Sequence, residues 1–549
     1  MGAEPVVRDN IASLLEAVAD AVTAVDPQSP AAVHAARRSV TWAQFDDRAA
    51  RLAGHLSDQG IGPGDRVGIG LHNSPEYLES LYAVLKLRAV PVNVNYRYGA
   101  TELEQVARLT RMRAVVADAD MAEAIGAVAD RVPELRVLLV GGAGEDEFPR
   151  YEDAVTAPPM ARQERSPDDQ ILLLTGGTTG LPKGVVWDSG GVCGVVSSAY
   201  RRAGVPVPRD AAEVVAAAAA QVREGTAPVV LPASPLMHGT GFFFSLGVLL
   251  RGGRVVTLPQ RSLDPAALWT AVQKERVEEL AIVGDAFAVP LLAELDRATA
   301  VGTPYDLTSL RRIVSSGVRW STETKRRLLA AGRFTLQDSI AATEGGPFGV
   351  SMSGPHPDSV SSVFTLPDNA RVIGPDGADV RPGSGEVGLL ASTGNLPLGY
   401  LDDPEATAAV FRTIDGVRYA VPGDAATLEA DGTISLLGRG SGVINTGGEK
   451  VFAEEVEQVL VEHPGVAEAV VVGVPDDRWG SRVAALVVPV PGAELDLAAL
   501  ADHVGSRLAG YKRPRVLQLV TGIPRTVSGK LDRRWAQDHA RALAASPQN

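Results

Sequence analysis

Apolar residues along this chain alternate between two rhythms: short runs that read as buried strands, and longer stretches with one apolar face per helical turn. Residues 64–71 combine a Gly-Asp turn with the alternation of a strand. Ser74 and Pro75 then predict a helix start, since serine caps free N–H groups and proline fits the first turn. The stripe Tyr77, Leu81, Val84 and Leu85 has helical spacing and reads as core. Strands are expected at 90–94, 135–140, 254–258, 280–283 and 313–314. Asp264-Pro265 should open a helix carrying Leu268, Trp269 and Val272. Repeated strand–helix–strand order implies stacked, parallel-rich sheets with helices on their faces. Residues 201–226, rich in alanine, predict a surface helix, read as an insertion or a lid.

From about Gly438 the texture changes. Helices are expected at 454–463 and 495–508, and strands at 466–474, 483–490 and 516–520, which makes a compact α+β unit. Gly438, Gly440 and Gly442, around Arg439 and Ser441, suit a hinge that absorbs large backbone rotations. The expected fold class is α/β: a large N-terminal domain (1–438) of stacked mixed and parallel sheets with flanking helices, a hinge (439–443), and a small mobile α+β domain (444–549).

Composition narrows the function. A 549-residue chain with 45% hydrophobic and 21% charged residues fits a multidomain globular enzyme. A net charge of −14 argues against a nucleic-acid or anionic-membrane surface. Cys193 is the only cysteine, so an intrachain disulfide is excluded, and its simplest role is a small buried residue. The N-terminus carries Glu4, Arg8, Asp9 and Glu16 and lacks the pattern of a signal peptide, and no apolar run spans a membrane. A cytoplasmic location is expected, and a homo-oligomer is left open.

The stretch 172–187 changes the picture most. Ile171 and three leucines end a buried strand and run into Thr175, Gly176, Gly177, Thr178, Thr179, Gly180, Leu181, Pro182 and Lys183. Bare glycines let backbone N–H groups converge on an anion, threonines add donors, and Lys183 adds a compact positive charge. That reads as a polyphosphate loop; a polar turn between two strands is the plain alternative. It is not the NTPase P-loop, which places a glycine directly before the lysine, where Pro182 stands here.

The order Thr-Gly-Gly-Thr-Thr-Gly-Leu-Pro-Lys-Gly resembles the signature of the adenylate-forming superfamily, which includes acyl-CoA synthetases, adenylation domains and luciferases. Further segments resemble the family's motifs in its order. Ser316-Gly317-Val318 is similar to its adenine-contacting turn. Asp338-Ser339-Ile340-Ala341-Ala342-Thr343-Glu344 is similar to its aromatic-Gly-x-Thr-Glu segment, with Ile340-Ala341 where relatives carry Tyr-Gly, and the resemblance implies that Asp338, Ser339 and Ile340 help bind the adenosine. The resemblance implies that Glu344 ligates Mg²⁺ and that Thr343 meets the α-phosphate. Val421-Pro422-Gly423-Asp424 and Arg439 resemble the ribose-binding pair. Ser528-Gly529-Lys530 resembles the catalytic C-terminal lysine motif. Gly447, Gly448, Glu449 and Lys450 resemble the pantetheine tunnel loop, and Ser441 stands at the hinge position. His238 matches a histidine bordering the acyl pocket, with a buried structural histidine as its rival.

The resemblance implies a two-step acid–thiol ligase using ATP, Mg²⁺ and CoA, with acyl-AMP as intermediate. Met237, Phe242, Phe243, Phe244, Gly284, Ala341 and Ala342 suggest a roomy apolar acyl pocket. Segments 236–241 and 282–288 look most like actinobacterial synthetases for bulky polycyclic acids, sterol or terpenoid; a medium or long fatty acid is the alternative. Other readings are loading of an acyl carrier protein, luciferase-like oxidation, and a non-catalytic nucleotide-binding regulator.

Overall fold

The computed structural model describes residues 7–135, 137–141, 149–175, 182–317, 320–439, 442–446, 449–476, 480–508, 510–525 and 531–545. The chain divides into two compact units interleaved in sequence. One comprises Met1–Ser362, Thr393–Thr413 and Val417–Ala420; the other comprises Val363–Ser392, Ile414–Gly416 and Val421–Asn549.

Strands of the first unit begin with β1 (Pro30–His34), β2 (Arg38–Thr41), β3 (Arg66–Gly70), β4 (Val90–Asn93), β5 (Met112–Asp118), β6 (Val137–Gly141) and β7 (Gln170–Thr175). They continue with β8 (Lys183–Asp188), β9 (Val229–Pro232), β10 (Arg254–Thr257), β11 (Glu279–Ile282), β12 (Arg312–Ser316), β13 (Thr335–Ala342) and β14 (Gly345–Ser353). One sheet runs β8-β7-β4-β3-β5-β6, with the short strand Gly399–Tyr400 added outside β8; the other runs β14-β13-β12-β11-β9-β10-β1-β2. The inner pairings are parallel. Antiparallel pairings close the edges at β7–β8, β13–β14 and β1–β2. The α/β class with mixed sheets is as the sequence implies.

Parallel strands covered on both faces must be apolar at nearly every position. In β7, Ile171 and Leu173 enter a central cluster with Val185 and Trp187, while Leu172 and Leu174 enter an outer cluster with Leu103 and Val106. The central cluster also takes Val230, Ala281 and Val314 from the second sheet, whose other face packs Leu280, Ile282 and Ile313 against Leu268 and Leu291. Helices therefore lie between the sheets and outside both. Ser74 caps the Pro75–Lys86 helix through Tyr77 N–H, and Asp264 caps Pro265–Glu275 through Ala267 N–H.

The alanine-rich stretch corrects the lid expectation. Helix covers only Ala211–Arg223, after a separate short helix at Ser198–Arg202. Val214 and Ala218 are buried in the central cluster together with Val22 of the Ile11–Val25 helix. A helix wedged by its apolar face into the core is a wall, because opening it would expose that face to water.

In the second unit, Phe364–Thr365, Ala370–Ile373, Val387–Ser392, Asp424–Leu428 and Thr433–Arg439 pair antiparallel. A hairpin of Val443–Thr446 and Glu449–Phe452 leads into the helix Ala453–Val461. Val466–Asp476, Gly480–Pro489 and Val516–Leu519 form a three-stranded sheet, with helices at Leu497–Gly505 and Arg533–Ala545. The last helix buries Ala536 and Ala540, one turn apart, completely.

A buried ion pair locks one strand of the first unit. Lys325, on the Thr322–Ala331 helix, places Nζ 2.8 Å from Asp338 Oδ2 on β13, and both side chains are buried. Burial pushes the Asp338 carboxyl up, and Lys325 partly offsets this. A carboxyl raised in the folded state contributes stability that is complete below its unfolded value and is lost as pH rises through the folded value. Lys325→Met removes the offset and should cost about 3–5 kcal/mol near neutral pH. The gap to the parent protein should narrow as pH falls and Asp338 takes up a proton. Melting temperature against pH checks this; a gap independent of pH would contradict it.

Candidate active site

The segment expected to bind phosphate joins β7 to β8, which pair antiparallel. Thr175 ends β7 opposite Lys183, which begins β8. Gly176, Gly177, Thr178, Thr179 and Gly180 lie outside the described residues. The approach to that segment is fixed by Asn93 of β4. Its Oδ1 accepts from Leu174 N–H, and its Nδ2 donates to the carbonyls of Leu174 and Met237. Replacing Asn93 would orphan buried backbone groups, so this side chain holds β7 and the Met237–His238 segment together.

Lys183 and Glu344 both meet Tyr400. Lys183 Nζ lies 5.0 Å from the Tyr400 ring centroid, and Tyr400 OH donates to Glu344 Oε1 at 2.7 Å. Glu344 is only 9% exposed. Thr343 and Glu344 occupy the turn between β13 and β14, and Trp187 Nε1 on β8 donates to the Thr343 carbonyl at 3.1 Å. Phe243 meets Trp187 edge-on at 5.4 Å and Phe242 at 5.2 Å. The residues expected to hold phosphate, metal and acyl group therefore join through consecutive contacts, with Trp187 and Tyr400 as the links. Neither link was singled out from the sequence. Tyr400 is far along the chain from Glu344 and belongs to none of the quoted motifs.

The adenine candidates gather at the end of β12. Ser316 Oγ lies 2.6 Å from Thr240 Oγ1, and Gly284 N–H donates to Ser315 Oγ at 2.9 Å. Gly317 has φ +93°, a left-handed backbone that favours glycine. Val318 lies outside the described residues. Ser339 and Ile340 are half-buried on β13. Asp338 departs from the adenine expectation: its buried carboxylate is engaged by Lys325, so it holds β13 in place for its neighbours.

His238 precedes the Gly239–Leu249 helix and is half-buried, with its carbonyl accepting from Phe242 N–H. Gly284, with φ +49°, opens the helix Gly284–Ala300. Ala341 is exposed and Ala342 half-buried at the end of β13. Cys193 is buried and its thiol pushed up to about 12, which suits a core residue and not a nucleophile.

In the second unit, Asp424 is 9% exposed and pairs in register with Arg439 across two strands, just after Gly423 with φ +97°. Ser441, Gly447, Gly448 and Lys530, and the side chains of Arg439, Glu449 and Lys450, lie outside the described residues. Among the described residues no group of three His, Cys, Asp or Glu could hold a metal, and no helix is long and apolar enough to cross a membrane.

Residues 19–401 match the AMP-binding enzyme family, and residues 455–530 match the AMP-binding enzyme C-terminal domain. The chain belongs to the AMP-binding enzyme family. Relatives of this AMP-binding enzyme include a 3-oxocholest-4-en-26-oate–CoA ligase of Rhodococcus rhodochrous, 38% identical over 542 residues, or 96% of this chain and 95% of that protein. A medium/long-chain-fatty-acid–CoA/3-oxocholest-4-en-26-oate–CoA ligase of Mycobacterium tuberculosis (strain H37Rv) is 38% identical, covering 98% and 97% of the two chains. Among solved structures, ATP-bound MatB from Rhodopseudomonas palustris superposes with a TM-score of 0.76 at 26% identity over 96% of this chain and 99% of that one. The anthranilate CoA ligase AuaEII in complex with anthranoyl-AMP shares the fold, with a TM-score of 0.79 at 21% identity over 98% of each chain. The resemblance read from the motifs is borne out, and the activity is that of an AMP-forming acyl-CoA ligase using ATP and CoA.

Tyr400→Phe keeps the ring beside Lys183 and removes the hydroxyl that donates to Glu344. A charged hydrogen bond of this kind is worth about 1.5–3 kcal/mol, so acid-dependent pyrophosphate release should slow about tenfold or more. Tyr400→Leu, which also removes the ring, should slow it further. Unchanged rates in Tyr400→Phe, with an unchanged melting temperature, would reduce Tyr400 to packing.

Proposed function

We propose that this ligase activates a bulky, largely apolar polycyclic acid of the sterol or terpenoid type. The observation that carries the reading is the contact series Phe242–Phe243–Trp187–Thr343, which brings an aromatic wall against the segment holding Glu344. Identity of 38% to ligases named for a sterol acid supports it. A medium or long fatty acid is the second reading, favoured by the double name of the mycobacterial relative.

In the proposed mechanism, Lys183 and the backbone of 175–180 bind the phosphates of ATP, while Ser316, Gly317, Val318, Ser339 and Ile340 hold adenine and Asp424 with Arg439 holds ribose. The magnesium ion that accompanies ATP uses one or two carboxylates besides phosphate oxygens. Glu344, a single buried carboxylate oriented by Tyr400, fits that donor set, and the ion would offset phosphate charge there. Thr343 contacts the α-phosphate, and His238 and Gly284 border the acid. Lys530 stabilises the charge that develops as the acid carboxylate attacks the α-phosphate and pyrophosphate leaves. The 444–549 domain then turns about Ser441, withdrawing Lys530 and presenting Gly447, Gly448, Glu449 and Lys450 to the pantetheine arm of CoA. The thiol attacks acyl-AMP, giving acyl-CoA and AMP. The enzyme works in the cytoplasm, where ATP and CoA are held; an acyl carrier protein is the competing acceptor.

A panel of sterol, terpenoid and fatty acids, read by pyrophosphate release with CoA present, tests the substrate. The polycyclic acids should give the highest kcat/KM; preference for straight chains would overturn the substrate reading. In the same assay, Lys530→Ala should lose adenylation by about 100-fold or more while still converting supplied acyl-AMP to thioester. Equal loss of both half-reactions would refute the role given to Lys530.

A further inference from the structure

Three arginines meet where β11 and β12 begin, at the ends opposite the active site. Arg312 opens β12 and is the register partner of Glu279, which opens β11. Arg202 ends the Ser198–Arg202 helix, and Arg251 follows the Gly239–Leu249 helix and is only 6% exposed. Each side chain donates one hydrogen bond among the described residues: Arg202 Nη1 to Ser198 Oγ, Arg251 Nη2 to Gln221 Oε1 and Arg312 Nη2 to the Arg202 carbonyl, all at 2.8 Å. The Nε atoms of all three, and Nη1 of Arg312, are buried with no partner. Phe244 lies 5.8 Å from the Arg202 guanidinium and Tyr200 lies 5.8 Å from that of Arg251.

Charge balance here is incomplete. Glu279 attracts Arg202 and Arg251 but forms no ion pair with any of the three among the described residues. Burial and mutual repulsion push Arg202 down to about 10 and also lower Arg251. Buried guanidiniums are ordinarily paired, because an uncompensated charge away from water is costly. A guanidinium offers five N–H donors in a planar fork that matches a carboxylate or phosphate.

We propose that Arg202, Arg251 and Arg312 form a second binding site, which takes a small oxyanion, carboxylate or phosphate. Two sources supply that chemistry. One is a free anion such as inorganic phosphate. The other is a far carboxylate on the acid being activated, since at ~1.5 Å per residue the Gly239–Leu249 helix and its flanks cover about 20 Å from His238 to Arg251. Only the second source rests on the acid-ligase reading. In either case the occupant sits on the same helix and strand that carry Thr240 and Ser316 at their other ends, joined there by their hydroxyls.

The test uses the full-length enzyme with Arg251→Met, and with Arg312→Met as a second variant should the first not fold. Melting temperature is followed against sodium phosphate and against sodium chloride at matched ionic strength. The parent enzyme should show a saturable rise with phosphate that the variants lack. In parallel, kcat/KM is compared for matched acids with and without a distal carboxyl. Loss of about tenfold for the diacid alone in the variant identifies the substrate as the source. A phosphate response lost in the variants with an unchanged acid ratio identifies a free anion. Identical phosphate and chloride curves together with an unchanged acid ratio would overturn the site. Absence of turnover with every acid would refute the ligase reading while leaving the phosphate comparison intact.

Discussion

Tyr400 joins two opposite charges through different parts of one side chain: its ring centroid lies 5.0 Å from Lys183 Nζ, and its hydroxyl donates to Glu344 Oε1. A lysine and a glutamate left free to meet would form an ion pair and cancel each other. Tyr400 offers its ring to the cation and its hydroxyl to the carboxylate, so each charge has a partner and stays available to ligand. In the proposed mechanism the first charge meets phosphate and the second would meet a phosphate-bound cation. The arrangement suits a polyanion carried with its metal better than either alone.

The two sheets deliver these groups by position. Each candidate segment of the first unit lies at a strand end or between two paired strands: Thr175 and Lys183 at the facing ends of β7 and β8, Ser316 at the end of β12, Thr343 and Glu344 between β13 and β14. Register is enforced by burial, because a one-residue slip in β7 would exchange Ile171 and Leu173 with Leu172 and Leu174 between two differently shaped cores. Asn93 and Trp187 then tie the ends together with hydrogen bonds that the apolar layers cannot supply. Open α/β sheets place ligands beyond their strand ends for this reason: backbone groups there are free and the strands behind them are rigid.

Sequence carried the local half of this. Strand β7, the caps at Ser74 and Asp264, the parallel-rich class and the ordered motifs are properties of contiguous residues, and those features were legible. Contacts between distant segments were not. Tyr400 reaches Glu344 only because Gly399–Tyr400 pairs with β8, and nothing beside Tyr400 in the chain announces that. Asp338 falls in a segment whose resemblance places it near the nucleotide, and only the fold brings Lys325 against its carboxylate. The alanine-rich stretch shows helix propensity but not which face is covered, and its packing against the Ile11–Val25 helix decides the matter. The short antiparallel strands between 364 and 439 carry too weak an alternation to stand out from loops.

The central claim is that the carboxylate of the acid attacks the α-phosphate of ATP before CoA enters. Carboxylate-labelled acid tests it most directly. With oxygen-18 in both carboxyl positions, one labelled oxygen should appear in AMP for each thioester formed, and none in pyrophosphate. Label in orthophosphate together with ADP, or unlabelled AMP alongside thioester, would contradict the account.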